Sequence, residues 1–195
     1  SGKLCNWVHH CAHEEFSLKI FPTYEITEGA VAFKRCALEK SGYYPENFFM
    51  SHEGPDLAFR LIDNGFQVVY SGDIFVRHRF SETGRASWYN YYYDTRNHFW
   101  LAVRNFPVNY MIRYLTRNLT STFIYSVRDG FIRYWLRAIF DGISGLPSMK
   151  SERKVLSNAS MDIIKQIDRG RPPLFYLIKK RLFSKGIRLL DSDQP

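Results

Sequence analysis

Apolar positions in the first half of the chain come in short runs broken by turn residues. Residues 31–35 read as a short strand entering a helix over 36–40, which Ser41-Gly42 closes. An aromatic loop occupies 43–50. Gly54-Pro55 then opens a helix whose apolar Leu57, Phe59, Leu61 and Ile62 lead to Asn64-Gly65. Proline near the start and glycine just past the end is the asymmetry that a helix favours. Residues 67–70 form a β-branched run, and 74–78 a second one after the turn Ser71-Gly72-Asp73. Strands alternating with helices predict an α/β layer architecture.

Past Ser81-Glu82-Thr83-Gly84 the pattern turns helical. Trp88, Tyr91, Tyr92, Thr95, Phe99 and Val103 recur at helical spacing up to Phe106-Pro107. From Met111 to Ile143 apolar residues then step by four. On a helix of 3.6 residues per turn such a stripe drifts by about 40° per step, so it cannot hold one face. A break at Asp129-Gly130 resets it and predicts two amphipathic helices. Residues 151–167 and 173–183 are expected to be further helices. The division is therefore a mixed α/β region over 1–107 and a basic, amphipathic helical region over 108–195.

Composition sharpens that division. The 195 residues are 45% hydrophobic and 24% charged, which describes a globular chain. No apolar run approaches the roughly 18–20 residues that a membrane-spanning helix needs. Up to position 103 there are 10 basic and 12 acidic residues; from 104 onward there are 17 and 7. A basic second half implies an anionic partner, either a membrane surface or nucleic acid. Three cysteines without a disulfide-framework spacing fit a reducing compartment. Cys5, His9, His10, Cys11 and His13 invite a zinc reading, but no second ligand pair follows, so an ordinary loop or helix is the expectation.

The candidate chemistry lies in four stretches: Glu28-Gly29-Ala30, Phe48-Phe49-Met50-Ser51-His52-Glu53, Asp56-Leu57-Ala58-Phe59-Arg60-Leu61 and Val76-Arg77-His78. Over about 26–107 this order resembles the second half of the catalytic domain of family 2 glycosyltransferases of the GT-A type, in a rhamnosyltransferase-like form. The resemblance implies a Rossmann-like α/β fold followed by a helical appendage. It also implies inverting transfer of a sugar from a nucleotide-sugar donor to a glycan or lipid-linked acceptor in surface polysaccharide synthesis. It implies a divalent cation as well (Mg or Mn), with His78 as a metal ligand. The family's Asp-x-Asp metal motif precedes the glycine turn by a good part of a domain. Here Asp191-Ser192-Asp193 has that spelling only in a polar tail, and the chain opens Ser1-Gly2-Lys3 without an initiator methionine. The donor-binding half is therefore expected to be missing, leaving the isolated chain inactive and the cation shared with that half.

Inverting transfer needs a base for the acceptor hydroxyl and positive charge for the leaving diphosphate. The base candidates are Glu53, just ahead of a helix N-terminus, and Asp56 in its first turn. Where the family usually has aspartate after the glutamate, this chain has Gly54. Asp56 also has a plain structural reading, satisfying helix N–H groups or pairing with Arg60 four residues on. Gly29 and Ala30 form the turn expected beside the donor sugar, and His52 and Arg60 complete the substrate-binding candidates. Arg77, Arg79 and Arg85 are diphosphate candidates whose default is solvation. The basic helices suit an anionic membrane surface at the cytoplasmic inner face, where binding would be peripheral. A basic nucleic-acid-binding protein is the disfavoured alternative, and a non-catalytic membrane-associated module is the other.

Overall fold

The computed structural model of the chain describes residues 9–11, 13–74, 76, 88–171 and 173–183. The elements run α1 (His13–Phe16), β1 (Ile20–Pro22), α2 (Arg35–Ser41), a 3₁₀ turn (Glu46–Phe48), α3 (Glu53–Asp63) and β2 (Val69–Ser71). A π-helical turn (Asn90–Asp94), α4 (Thr95–Asn105), α5 (Val108–Arg128), α6 (Ile132–Ser144), α7 (Leu146–Ser151), α8 (Asn158–Asp168) and α9 (Leu174–Phe183) follow.

The expected Rossmann-like α/β architecture is overturned. The described residues are mostly helical, and their one sheet is the antiparallel pair of β1 and β2. Ile20 stands opposite Ser71, Phe21 opposite Tyr70 and Pro22 opposite Val69. A parallel sheet requires strands covered by helices on both faces, and this ribbon leaves one face open: Ile20 is 65% exposed and Val69 50%. Residues 31–34, expected as a strand, belong to no ladder, and Val31 lies exposed. A β-branched run becomes a strand only where a partner supplies the ladder. Here β1 is the partner, and it extends over three residues.

The core lies between helices instead. From α3 it takes Leu57, Ala58, Phe59, Leu61 and Ile62, and from α4 Trp100, Leu101, Ala102 and Val103. Phe106, Met149 from α7, and Met161 and Ile164 from α8 close it. Burial of a Phe or Leu side chain contributes roughly 1.5–3 kcal/mol, so α3, with Leu57, Phe59, Leu61 and Ile62 all buried, supplies a large share of the core. Its ends follow the sequence reading: Pro55 lies in the first turn, and Gly65 (φ 85°) follows the C-cap Asn64. Asp63, at its end, accepts from the Ser157 N–H and the Ser160 hydroxyl, both at 2.9 Å, and so fastens α8.

The stripe breaks where its drift requires. α5 ends at Arg128, Asp129 caps it, and Gly130 (φ 77°) turns the chain into α6. The Tyr91 hydroxyl donates to Asp129 and holds that corner. The helix expected over 151–167 begins only at Asn158, because residues 153–157 form a strap across the end of α4. There the N–H groups of Lys154 and Leu156 donate to the carbonyls of Arg104 and Asn105. The Ser157 side chain then caps α8 by accepting from the Ser160 N–H. No described helix is long and apolar enough to cross a membrane.

Candidate functional site

The segment before α3 is strained. Phe49 (φ 61°), Ser51 (φ 69°) and His52 (φ 68°) all have positive φ without being glycine, at a cost of roughly 1–3 kcal/mol each. Such a turn persists only where its surroundings over-determine it. Phe48, fully buried, anchors one end. Asn97 on α4, also fully buried, directs its amide at the carbonyls of Phe48 (3.0 Å), Met50 (2.6 Å) and Ser51 (2.7 Å). Its neighbour Arg96 donates to the Phe48 carbonyl at 2.8 Å while stacked 4.0 Å over the Trp100 ring. Helix α4 thus holds the turn from which His52 and Glu53 project.

Glu53 opens α3, where the positive end of the helix dipole favours a carboxylate. Its Oε2 is buried and has no hydrogen-bond partner, and the same holds for the Tyr44 hydroxyl. Tyr44 is pushed up to about 12 by burial and then by the charges of Glu28 and Glu53. Glu28 is also raised, by burial and by Glu53 and Glu25, against a backbone hydrogen bond that pulls it down. Gly54 has a steric cause. A Cβ there would stand 2.8 Å from both Glu28 Oε1 and the Ile26 carbonyl, closer than real Cβ contacts. The space an aspartate would need after Glu53 is taken by the Ile26 backbone carbonyl and the Glu28 carboxylate.

Asp56 behaves differently. It is fully buried, and both its oxygens are engaged. Arg60 Nε donates at 3.1 Å, Arg104 Nε at 3.0 Å and Asn105 Nδ2 at 2.7 Å. Arg104 goes on to pair with Glu152. Burial alone would lower Arg104, but Asp56 and Glu152 outweigh it and raise it. Arg60, expected among the substrate-binding residues, donates to the Ser41 and Tyr43 carbonyls at 2.5 and 2.7 Å and so stitches α2 to α3. The geometry gives both residues a bracing role.

A cavity of about 270 Å³ lies between α3, the π-turn, α4 and α5. Its polar lining includes Glu25, His52, Asp94, His98, Tyr114 and Arg171, over an apolar floor that includes Phe59 and Leu101. His52 Nε2 stands 2.8 Å from Asp94 Oδ1, and His98 Nε2 3.7 Å from Asp94 Oδ2. The two imidazole rings are 4.2 Å apart. At that distance Asp94 forms an ion pair with His52 when the imidazole is protonated. Burial would lower His52, but Asp94 outweighs it and the imidazole is raised. Burial and the His52 charge lower His98 to about 3, against the pull of Asp94. Burial would raise Asp94, but His52 and His98 take it down to about 2.

Gly29 and Ala30 sit in an exposed turn closed by the Ala30 N–H on the Thr27 carbonyl, with open space where a Gly29 side chain would be. His78, with Arg77, Arg79, Arg85 and Asp191-Ser192-Asp193, lies outside the described residues. In the amino-terminal segment, His9 bonds Thr23 at 3.0 Å, and His10 lies 3.3 Å from Glu25 and 3.4 Å from Asp168. These histidines are tied to oxygen partners. Sequence reasoning missed Asp94, Arg96, Asn97 and His98. The available signal was a polar run inside an aromatic helix, since polar side chains that end up buried are the informative ones. No protein-family model, curated protein or solved structure matches the chain.

Proposed function

We propose that this chain carries the acceptor-activating part of an inverting glycosyltransferase, with Glu53 as the base. One observation carries the reading: Glu53 Oε2 is buried and without a partner on a strained turn that α4 holds in place. A buried carboxylate oxygen with nothing to accept from demands an explanation, and an incoming hydroxyl supplies one. In the proposed step Glu53 takes the proton of the acceptor hydroxyl as its oxygen attacks the anomeric carbon. The bond to the nucleoside diphosphate breaks with inversion. Tyr44 and Glu28, beside Glu53, orient the acceptor. A divalent cation (Mg or Mn) would absorb charge on the leaving diphosphate. The motif resemblance at 48–61 supports the same assignment, and the saturated pairing of Asp56 favours Glu53 over it.

The test is Glu53→Gln in the enzyme that contains this chain. Its kcat should fall at least about a hundredfold, the scale of a lost general base, with donor affinity little changed. Near-normal turnover would remove Glu53 from the role.

The outer helices support a peripheral position on an anionic bilayer. Ile112 on α5, Leu136 and Phe140 on α6 and Phe175 on α9 are all more than half exposed. Basic side chains flank them, with Arg137 76% exposed. Each basic residue near an anionic surface contributes about 1 kcal/mol. Vesicle sedimentation should rise with anionic lipid and fall with salt. Retention of single-stranded nucleic acid without vesicle binding would favour the nucleic-acid alternative.

A further inference from the structure

We propose that His52, Asp94 and His98 form a binding site for a first-row divalent transition ion, zinc being the best fit. The site is independent of the glycosyl-transfer reading and of His78. Among the described residues this is the one group of three such side chains whose ligand atoms all lie within 4.8 Å of one another. Two imidazoles and one carboxylate suit zinc, cobalt, manganese or iron(II), with positions left for water.

The distances fit. Ligand atoms ~2.1 Å from one ion stand roughly 3.0–3.5 Å apart in tetrahedral or octahedral geometry. The observed separations lie just outside the two ends of that range, 2.8 Å from His52 Nε2 to Asp94 Oδ1 and 3.7 Å from His98 Nε2 to Asp94 Oδ2, so each imidazole faces its own carboxylate oxygen and a small adjustment would close the set on an ion. Orientation agrees as well. His98 turns Nδ1 to the Tyr114 hydroxyl at 2.8 Å, which leaves Nε2 as the nitrogen facing Asp94 and His52. Metal-bound histidines are commonly fixed through the other ring nitrogen in this way.

The scaffold is built for convergence. His52 enters from the left-handed turn before α3, held by Asn97, while Asp94 and His98 stand one turn apart where the π-helical turn becomes α4. Wide π-turns of this kind occur frequently at functional sites. Asp94 keeps 39% of its side-chain surface open to the cavity, so an ion with water attached has a way in. Arg171 lines the same cavity, but Asp168 holds its charge at 3.0 Å.

The experiment is titration of the 195-residue chain with zinc and with cobalt(II), followed by metal analysis and cobalt d–d absorption. One ion per chain is expected. His98→Gln and Asp94→Asn should each weaken binding at least tenfold, and Tyr114→Phe by about tenfold at unchanged stoichiometry. Circular dichroism checks that the variants fold. If they do not, imidazole nitrogen NMR of the unsubstituted chain decides: zinc should move the Nε2 signals of His52 and His98. No stoichiometric binding overturns the proposal. Equal binding by folded His98→Gln and Asp94→Asn also overturns it, as do shifts confined to other histidines.

Discussion

Helix α3 contributes to two buried polar centres that obey opposite rules. On one side Asp56 is fully buried and engaged by Arg60, Arg104 and Asn105. On the other, His52, Asp94 and His98 share a cavity, and close by Glu53 Oε2 has no partner. A saturated network rigidifies, and removing one member leaves charge stranded. A centre with atoms left over is arranged for something absent from the chain itself. Two carboxylates three residues apart on one helix thus take different parts, and their neighbours decide which.

The largest effect should come from breaking the saturated side. Asp56→Ala strands Arg104 and should lower unfolding free energy by about 3–5 kcal/mol in urea titration, without changing zinc stoichiometry where the variant folds. Next comes the clamp between the two centres. Asn97→Leu removes a donor shared by three turn carbonyls, of which that of Phe48 keeps Arg96, and should cost about 1–3 kcal/mol. It should also weaken zinc binding, because His52 loses its fixed turn. A variant that is destabilised while retaining full zinc affinity would show that Asn97 supports the core alone.

Acid sharpens the comparison from a third place. Burial would raise Asp168, but His10, Arg171, Tyr110 and Tyr24 outweigh it and take the carboxyl to about 2, below its ordinary 3.8. A depressed folded value means that the stabilisation is complete above about pH 4 and is lost as pH falls toward 2. The shift amounts to about 2 kcal/mol. Denaturation at pH 7 and pH 2.5 should show that part of the loss missing in Asp168→Asn. The smallest effect belongs to Glu53→Gln. An oxygen without a partner gives up no hydrogen bond, so stability should change by less than about 0.5 kcal/mol, while sugar transfer falls steeply.

Much of this was legible where local chemistry decides. Asn64-Gly65 ended α3, and the drift of a four-residue step located the break at Asp129-Gly130. The strand expectation failed at 31–34 because apolar pattern does not create a ladder partner, and β1 offers only three residues to β2. His52 and Glu53 were found because they sit in one short motif. Asp94 and His98 were not, since they meet His52 only after the chain has folded across more than forty intervening residues, and the aromatic period around them reads as core. Gly54 was visible as a departure from the motif that this stretch resembles, but its cause, the Ile26 carbonyl and Glu28 carboxylate lying against it, is tertiary.

The central claim is that the centre with unpartnered atoms is the functional one, and zinc-linked stability tests it most directly. At a free zinc concentration about 100 times the dissociation constant, linkage should raise unfolding free energy by about 2.7 kcal/mol. The account predicts that gain in the unsubstituted chain and in folded Arg60→Lys, whose change touches only the saturated hub, and none in Asp94→Asn. An equal gain in Asp94→Asn, or no gain in the unsubstituted chain, would contradict it.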